Sequence, residues 1–295
     1  MAHVSYIKPH WPYIVPSPYH NMFGANHVPA ALRHEVERQD PHPVYGAYMG
    51  NKIASAFQRE EVREKVIPAY MGLIKQCDDQ LGLLLDHLEQ TNRMSDTMIV
   101  LTSDHGDYLG DHWLGEKDLF HEASVKVPLI IYDPRLEASS TRGTTCDALV
   151  ESIDLAATFV EAAGGSVPGH IIEGKSLMPW IWGENPPWRT YVISEFDYSP
   201  TVQAAKLGIK PRDARLFMVF DGRYKMMHAE GGMRPMLFDL KTDPEEFNDL
   251  AKGADHGDVL DKLYEHLHHW GLRLSQRVTK SCLLYTSPSP RDKHR

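Results

Sequence analysis

Between residues 60 and 91, apolar side chains recur at three- and four-residue intervals, at Tyr70, Leu73, Ile74, Cys77, Leu81, Leu84, Leu85 and Leu88. That period predicts one long helix with a core-facing stripe, and it turns Lys75, Asp78, Asp86 and Glu89 outward. The pattern then changes to an unbroken apolar run, Met98-Ile99-Val100-Leu101, followed at once by Thr102-Ser103-Asp104-His105-Gly106. Such a run suits a strand covered on both faces, as in a parallel sheet flanked by helices. A second strand is expected over 125–132, with Pro128 marking an edge or a local irregularity. Residues 152–163 read as a helix, capped by Ser152 or Asp154 and stopped by Gly164-Gly165. Past a Pro- and Trp-rich stretch at 179–188, short strands are expected at 191–194, 216–220, 224–227 and 236–240. The turns Asp221-Gly222 and Gly231-Gly232 between them predict a small antiparallel sheet, with a last helix over 259–276 packed on it. The first 45 residues carry Pro9, Pro12, Pro16, Pro18, Pro29, Pro41 and Pro43 with aromatic residues between them. Each proline fixes φ and removes a donor, so this stretch reads as loop. A loop of that length inside a compact domain is either functional or a sign that flanking elements are missing.

Composition narrows the class. With 295 residues, 42% of them hydrophobic, the chain has ample material for a core. It has no apolar run of about 18 residues, so no membrane-spanning helix is expected. The 31 Lys+Arg against 40 Asp+Glu give a net charge of −9, which argues against nucleic acid as the partner. Whole-chain charge does not set the sign of a local site. Cys77, Cys146 and Cys282 are too few for a disulfide framework and read as small hydrophobes.

The segment Ser103-Asp104-His105-Gly106-Asp107 follows a predicted strand end, where ligands collect in open α/β sheets. Asp104 and His105 offer a divalent cation one carboxylate oxygen and one imidazole nitrogen. Lys117, twelve residues after His105, could neutralise an anion beside that cation. The same residues also fit a structural role, with Asp104 capping a turn, His105 in the core and Lys117 solvated.

Three stretches, taken together, carry a resemblance. Thr102-Ser103-Asp104-His105-Gly106-Asp107-Tyr108-Leu109-Gly110-Asp111-His112, then Lys117, then Val127-Pro128-Leu129-Ile130-Ile131, resembles the metal-binding segment of the sulfatase family in the alkaline-phosphatase superfamily. The texture is particularly similar to the phosphonate monoester hydrolase branch. Lys8-Pro9-His10-Trp11-Pro12-Tyr13 resembles the family's Lys/Arg-Pro-His-x-Pro-Phe loop. Leu237-Phe238-Asp239-Leu240, with Asp243-Pro244-Glu245-Glu246, Asn248 and Leu250, resembles its C-terminal signature.

The resemblance implies an α/β fold. Residues 1–188 would be the C-terminal part of an alkaline-phosphatase-like domain, a largely parallel sheet flanked by helices, and residues 189–280 a small antiparallel α+β subdomain. It implies that Asp104 and His105 ligate one divalent cation, Ca²⁺ or Mn²⁺, and that Lys117 bridges the nucleophile and a substrate oxygen. His10 would hold a substrate oxygen or help the leaving group depart. Asp107, Asp111 and His112 would either orient the ligands by hydrogen bonds or form a plain polar loop, while Asp78 and Asp79 read as structural and Lys8 as a surface or a site charge. The implied partner is a small-molecule sulfate or phosphonate ester, with no nucleic acid and no membrane, and a homo-oligomer is compatible with it. The implied activity is that of a sulfuric ester hydrolase. A phosphonate monoester or phosphodiester hydrolase is the alternative within the enzyme class, and a non-catalytic binding protein of the same fold is the alternative outside it.

One part of the family pattern has no counterpart here. The nucleophile is a cysteine or serine in Cys/Ser-x-Pro-x-Arg, the cysteine becoming formylglycine, and no cysteine or serine of this sequence stands in that motif. The expectation is therefore a chain that starts inside the domain and has no turnover alone, its nucleophile and remaining metal carboxylates lying in a missing N-terminal part. Residues 281–292 resemble the conceptual translation of a sequencing-library adapter, so 281–295 are expected to be non-native.

Overall fold

The computed structural model describes residues 1–275; the adapter-like segment 281–295, with Cys282, lies outside the described residues. The proline-rich N-terminal stretch folds into three short 3₁₀ turns at Tyr19–Asn21, Ala25–His27 and Glu35–Arg38. Pro43 does not prolong this loop. It opens helix α1 (Pro43–Met49) at the first helical position, where a missing N–H costs no intrahelical bond. Helix α2 (Lys52–Phe57) is capped by Asn51, whose side chain accepts the Ala54 N–H.

The expected long helix is α3 (Glu60–Gln90), with Pro68 inside it. Asp78, Asp86 and Glu89 are exposed as the periodicity demands, but the apolar stripe is only partly covered. Leu73 is buried whereas Ile74 and Leu83 face solvent, Leu83 at 62% exposure. Lys75 pairs with Asp78 at 3.3 Å and with Asp79, which agrees with a structural reading of both aspartates.

Strand β1 (Ile99–Thr102) leads into the Asp104-His105 segment. Helix α4 (Glu122–Val125) and strand β2 (Leu129–Tyr132) follow. Val125 therefore ends a helical turn and does not begin the strand, which starts only after Pro128. Strands β1 and β2 pair antiparallel, Ile99 opposite Tyr132 and Thr102 opposite Leu129, where parallel pairing was expected. Their faces are half open as well, with Leu101 37% and Ile130 61% exposed. A continuous apolar run encodes the burial of two faces but says nothing about the direction of the neighbouring strand.

Helix α5 (Asp154–Ala162) has Ile153 at its N-cap, so neither Ser152 nor Asp154 caps it. Asp154 is instead a fully buried junction: it takes a bidentate Arg189 and accepts the N–H groups of Glu151 and Lys175. A short helix α6 (Met178–Ile181) precedes the C-terminal part.

The small antiparallel sheet forms as expected, a meander of β3 (Val192–Asp197), β4 (Arg215–Phe220), β5 (Tyr224–Ala229) and β6 (Met236–Asp239) in that order. Helix α7 (Val202–Leu207), capped by Thr201, sits between β3 and β4. Because side chains alternate along a strand, the sheet has two apolar faces. Leu216, Met218, Met227, Ala229 and Phe238 pack with Val44, Tyr45 and Tyr48 of α1 and with Tyr108, Leu119 and Phe120. Val219, Met226 and Leu237 pack on Leu263 of the final helix α8 (Gly257–Ser275). One core thus joins the C-terminal sheet to the loop after β1, and the sheet forms the floor beneath that loop. No helix among the described residues is long and apolar enough to cross a membrane.

At the sheet edge, Arg223 holds Asp239 with two hydrogen bonds, Nε to Oδ1 at 3.0 Å and Nη2 to Oδ2 at 2.7 Å. The guanidinium keeps the Asp239 carboxyl down at about 2. The folded value lies below the unfolded one, so the contribution is complete above about pH 4 and is lost as pH falls through about 2. Arg223 is half-exposed, which limits the effect through solvent screening. Asp239→Asn is expected to cost ~1 kcal/mol at pH 7 and clearly less near pH 2, read from urea midpoints at the two pH values.

Candidate active site

Gly106 sets the position of the Asp104-His105 pair. Its N–H donates to the Ser124 carbonyl at 2.7 Å, and a Cβ on it would lie 2.0 Å from the Ala123 carbonyl oxygen. The strand end is thereby pressed against α4, and Asp104 and His105 project outward from it. Asp104 is exposed, its side chain 86% accessible, and His105 is half-buried. His105 donates Nδ1–H to the Gly106 carbonyl at 2.7 Å, a bond that leaves the Nε2 lone pair free. That Nε2 stands 3.7 Å from Asp104 Oδ2. Two ligands of a hard cation at 2.3–2.6 Å subtend about 100° at that separation, so the pair fits two adjacent coordination positions of one ion.

The loop after the pair is tightly folded. Leu109, His112, Trp113 and Glu116 all have left-handed φ, between 46° and 61°, and Gly110 has φ 104°. Four non-glycine residues in that region persist only where the surroundings over-determine them. Several hydrogen bonds do so here. Tyr108 N–H donates to Glu116 O at 2.8 Å, Gly110 N–H to Leu114 O at 3.0 Å and His112 N–H to Leu32 O at 2.8 Å. Arg63, a buried residue of α3, donates Nε to Leu109 O and Nη2 to Pro29 O. The loop delivers Lys117, whose carbonyl accepts from Ser124 Oγ.

Lys117 meets His10. Its Nζ lies 2.8 Å from His10 Nε2, although the two residues are 107 positions apart. His10 Nδ1 lies 2.8 Å from the Trp11 carbonyl, which makes Nδ1 the donor and Nε2 the acceptor of the Lys117 ammonium. The His10 ring stands edge-on to His105, centroids 6.3 Å apart. All four residues singled out in the sequence therefore converge on one open face. Lys8 is half-buried, and its ammonium donates to the His10 and Pro12 carbonyls and shapes the His10 loop.

Asp107 accepts from Tyr13 and from the Leu109 N–H, Asp111 accepts the Leu32 N–H, and His112 pairs with Glu37 at 2.7 Å. These bonds hold the loop, and Asp107 also interacts electrostatically with His105. Burial pushes the Asp107 and Asp111 carboxyls up.

Glu37, His112 and His121 place ligand-type atoms within 4.8 Å of one another. The two imidazoles, however, stack face to face at 3.8 Å and 4°. Lone pairs lie in the ring planes, so in this arrangement they run parallel and do not converge on one ion. His112 is taken by Glu37 and His121 Nδ1 by the Tyr108 hydroxyl, and burial pushes His121 well below the usual imidazole range. This cluster supports the loop. A cavity of about 480 Å³ lies beside Arg33 and Trp113 and one of about 420 Å³ is lined by Glu37, His42, His121 and Glu246; neither is lined by Asp104, His105, Lys117 or His10.

Sequence and structure comparisons show the family and the fold. The Sulfatase family model matches residues 1–166, more than half of the chain. The chain belongs to the sulfatase family. A second family model, N-sulphoglucosamine sulphohydrolase, C-terminal, matches residues 110–272. The multifunctional alkaline phosphatase superfamily protein PehA of Trinickia caryophylli is 31% identical over 94% of this chain and 56% of its own length. Phosphonate monoester hydrolase structures from Silicibacter pomeroyi and Agrobacterium radiobacter superpose with TM-scores of 0.84 and 0.82 at 31% and 30% identity. They cover 92% and 98% of this chain but 55% and 59% of their own. This sulfatase-family chain thus spans about half the length of the relatives it matches, and its α/β fold is theirs.

Arg63 and Tyr13 have structural roles that the sequence reading missed. Arg63 carried no signal beyond a charge near the predicted core face of α3, and Tyr13 none beyond an aromatic ring in the His10 loop.

Proposed function

We propose that this chain carries the metal- and anion-binding part of a sulfatase-type centre that hydrolyses sulfate esters. The observation that carries the reading is the 2.8 Å contact of Lys117 with His10 beside the outward-facing Asp104–His105 pair. Asp104 Oδ2 and His105 Nε2 are the atoms that would hold a divalent cation, Ca²⁺ or Mn²⁺. Such an ion supplies charge neutralisation for the non-bridging oxygens of a tetrahedral ester. Lys117 keeps N–H donors beyond the one spent on His10 and can turn them on an ester oxygen as negative charge develops there. His10 Nε2, the ring nitrogen not held by the Trp11 carbonyl, is the atom that can take a proton from solvent and pass it to a departing alkoxide, while Lys117 keeps its charge.

The nucleophile, a formylglycine that attacks the ester centre, belongs in this reading to a segment outside the present sequence. The span of about half the relatives' length and the exposed apolar residues of β1, β2 and α3 support that placement. A second reading, hydrolysis of phosphonate monoesters by the same residues, is favoured by the likeness to two phosphonate monoester hydrolases.

The test is a titration of the purified chain with phenyl sulfate and phenylphosphonate, with and without Ca²⁺ or Mn²⁺. Metal-dependent binding is expected, weakened about 10–100-fold in Lys117→Ala by loss of a charged hydrogen bond. The ester bound more tightly identifies the substrate class. Binding indifferent to both metal and Lys117 overturns the site, and turnover of nitrophenyl esters by the chain alone overturns the outside nucleophile.

A further inference from the structure

Tyr13 stands three residues after His10 in the same loop and ends in a phenolic hydroxyl. That hydroxyl donates to Asp107 Oδ2 at 3.1 Å. Asp107 Oδ1 accepts the Leu109 N–H at 3.1 Å, and Arg63 Nε donates to the Leu109 carbonyl at 3.1 Å. Tyr13 is thus joined through one carboxylate to the left-handed turn that begins the loop delivering Lys117. Its ring packs edge-on against Phe57 and Tyr70, which fixes where the hydroxyl points.

Among the described residues, two hydrogen bonds link the His10 loop to the 104–117 loop: Tyr13 to Asp107 and Lys117 to His10. The bonds of Lys8 stay within the His10 loop, and Cys77 reaches only the Lys8 carbonyl. The second link joins the two groups that would face an anion. The first lies outside that pair and holds the two loops in register independently of it. Burial and the neighbouring Asp107 push the Tyr13 phenol above its ordinary range, so it remains a donor.

We propose that Tyr13 is a positioning residue, its hydroxyl latching the His10 loop to the Lys117 loop through Asp107 and so setting the distance between His10 Nε2 and Lys117 Nζ. The proposal rests on the reading that His10 and Lys117 act together on an anion. It adds a group outside the reacting atoms that keeps them aligned.

Tyr13→Phe removes the donor and keeps the ring. The first readout is the pair of imidazole ¹⁵N shifts of His10, without ligand. In the native chain Nδ1 is the protonated nitrogen and Nε2 the acceptor, and the variant is expected to move both signals toward the average of exchanging tautomers. The second is amide exchange over residues 8–14, expected to quicken about fivefold, as loss of one hydrogen bond implies. The third is phenylphosphonate affinity with Ca²⁺, expected to fall by a similar factor. Tyr70→Phe, which removes a hydroxyl from the same aromatic cluster, is expected to change none of these. Unchanged His10 nitrogens in Tyr13→Phe overturn the latch, and so does a uniform loss of protection along the whole chain with His10 unmoved. If native His10 and Lys117 ignore phenylphosphonate, the functional reading fails, while the ligand-free His10 signals still decide the latch.

Discussion

Gly106→Ala is expected to destabilise the chain by about 3 kcal/mol or more and to abolish measurable divalent-cation binding. The added Cβ would stand 2.0 Å from the Ala123 carbonyl oxygen and 3.0 Å from its carbon, a collision with backbone that no side-chain rotation relieves. The approach is held from the other side by the Gly106 N–H bond to Ser124 O, so relief requires breaking that bond and separating β1 from α4. Asp104 and His105 immediately precede the collision, and the His105 tautomer depends on the Gly106 carbonyl itself. Fold and site therefore fail together. Urea unfolding and a Ca²⁺ or Mn²⁺ titration of the variant measure the two effects. Native stability with native metal affinity would show that the close packing of Gly106 is not required.

Lys225→Met is expected to cost about 3–5 kcal/mol, the range for removing one partner of a buried ion pair. Lys225 is 1% exposed and lies on the sheet face beneath the active-site loop. Its ammonium sits 2.5 Å from Glu122 Oε1, 3.2 Å from the Phe120 carbonyl and 2.9 Å from Glu246 Oε1. The last contact lies off the hydrogen-bonding direction and is an ion pair without an aligned bond. Burial already pushes the Glu246 carboxyl up, and Lys225 is the main charge opposing it. Once that charge is gone, Glu246 takes up a proton more readily in the folded state. The deficit is then largest at pH 8 and shrinks toward pH 5, because protonation removes the unpaired charge. Urea midpoints at the two pH values test the sign, and adding Glu246→Gln to Lys225→Met is expected to recover part of the loss at pH 8. An equal deficit at both pH values would assign the cost to packing.

Much of the candidate site was legible because its residues sit in short local strings. Asp104 and His105 follow a strand end, Gly106 permits the close turn after them, and Lys117 stands at a fixed distance along one loop. The antiparallel meander was legible for a similar reason: alternation along each strand and the Asp221-Gly222 and Gly231-Gly232 turns are local signals. The helix cap at Ser152 or Asp154 was misread because the same carboxylate that can cap a helix can also close a buried junction with Arg189. Asp107, Asp111 and His112 look like ligand-orienting residues by proximity in sequence, yet left-handed turns at Leu109 and His112 send them toward Tyr13, Leu32 and Glu37.

By itself the sequence determined which side chains could carry chemistry, the long helix, the helix over 152–163, the C-terminal meander and the last helix to within a few residues, and the family to which these strings belong. Each of these depends on the order of neighbouring residues, through backbone period, turn preference and ligand chemistry. Only the tertiary structure decided that β1 and β2 run antiparallel, that Lys117 reaches His10 across 107 positions, and that Arg63 and Lys225 are buried charges beneath the loop. Those features depend on which distant surface each segment meets, and a residue's own neighbours in the chain carry no record of that meeting.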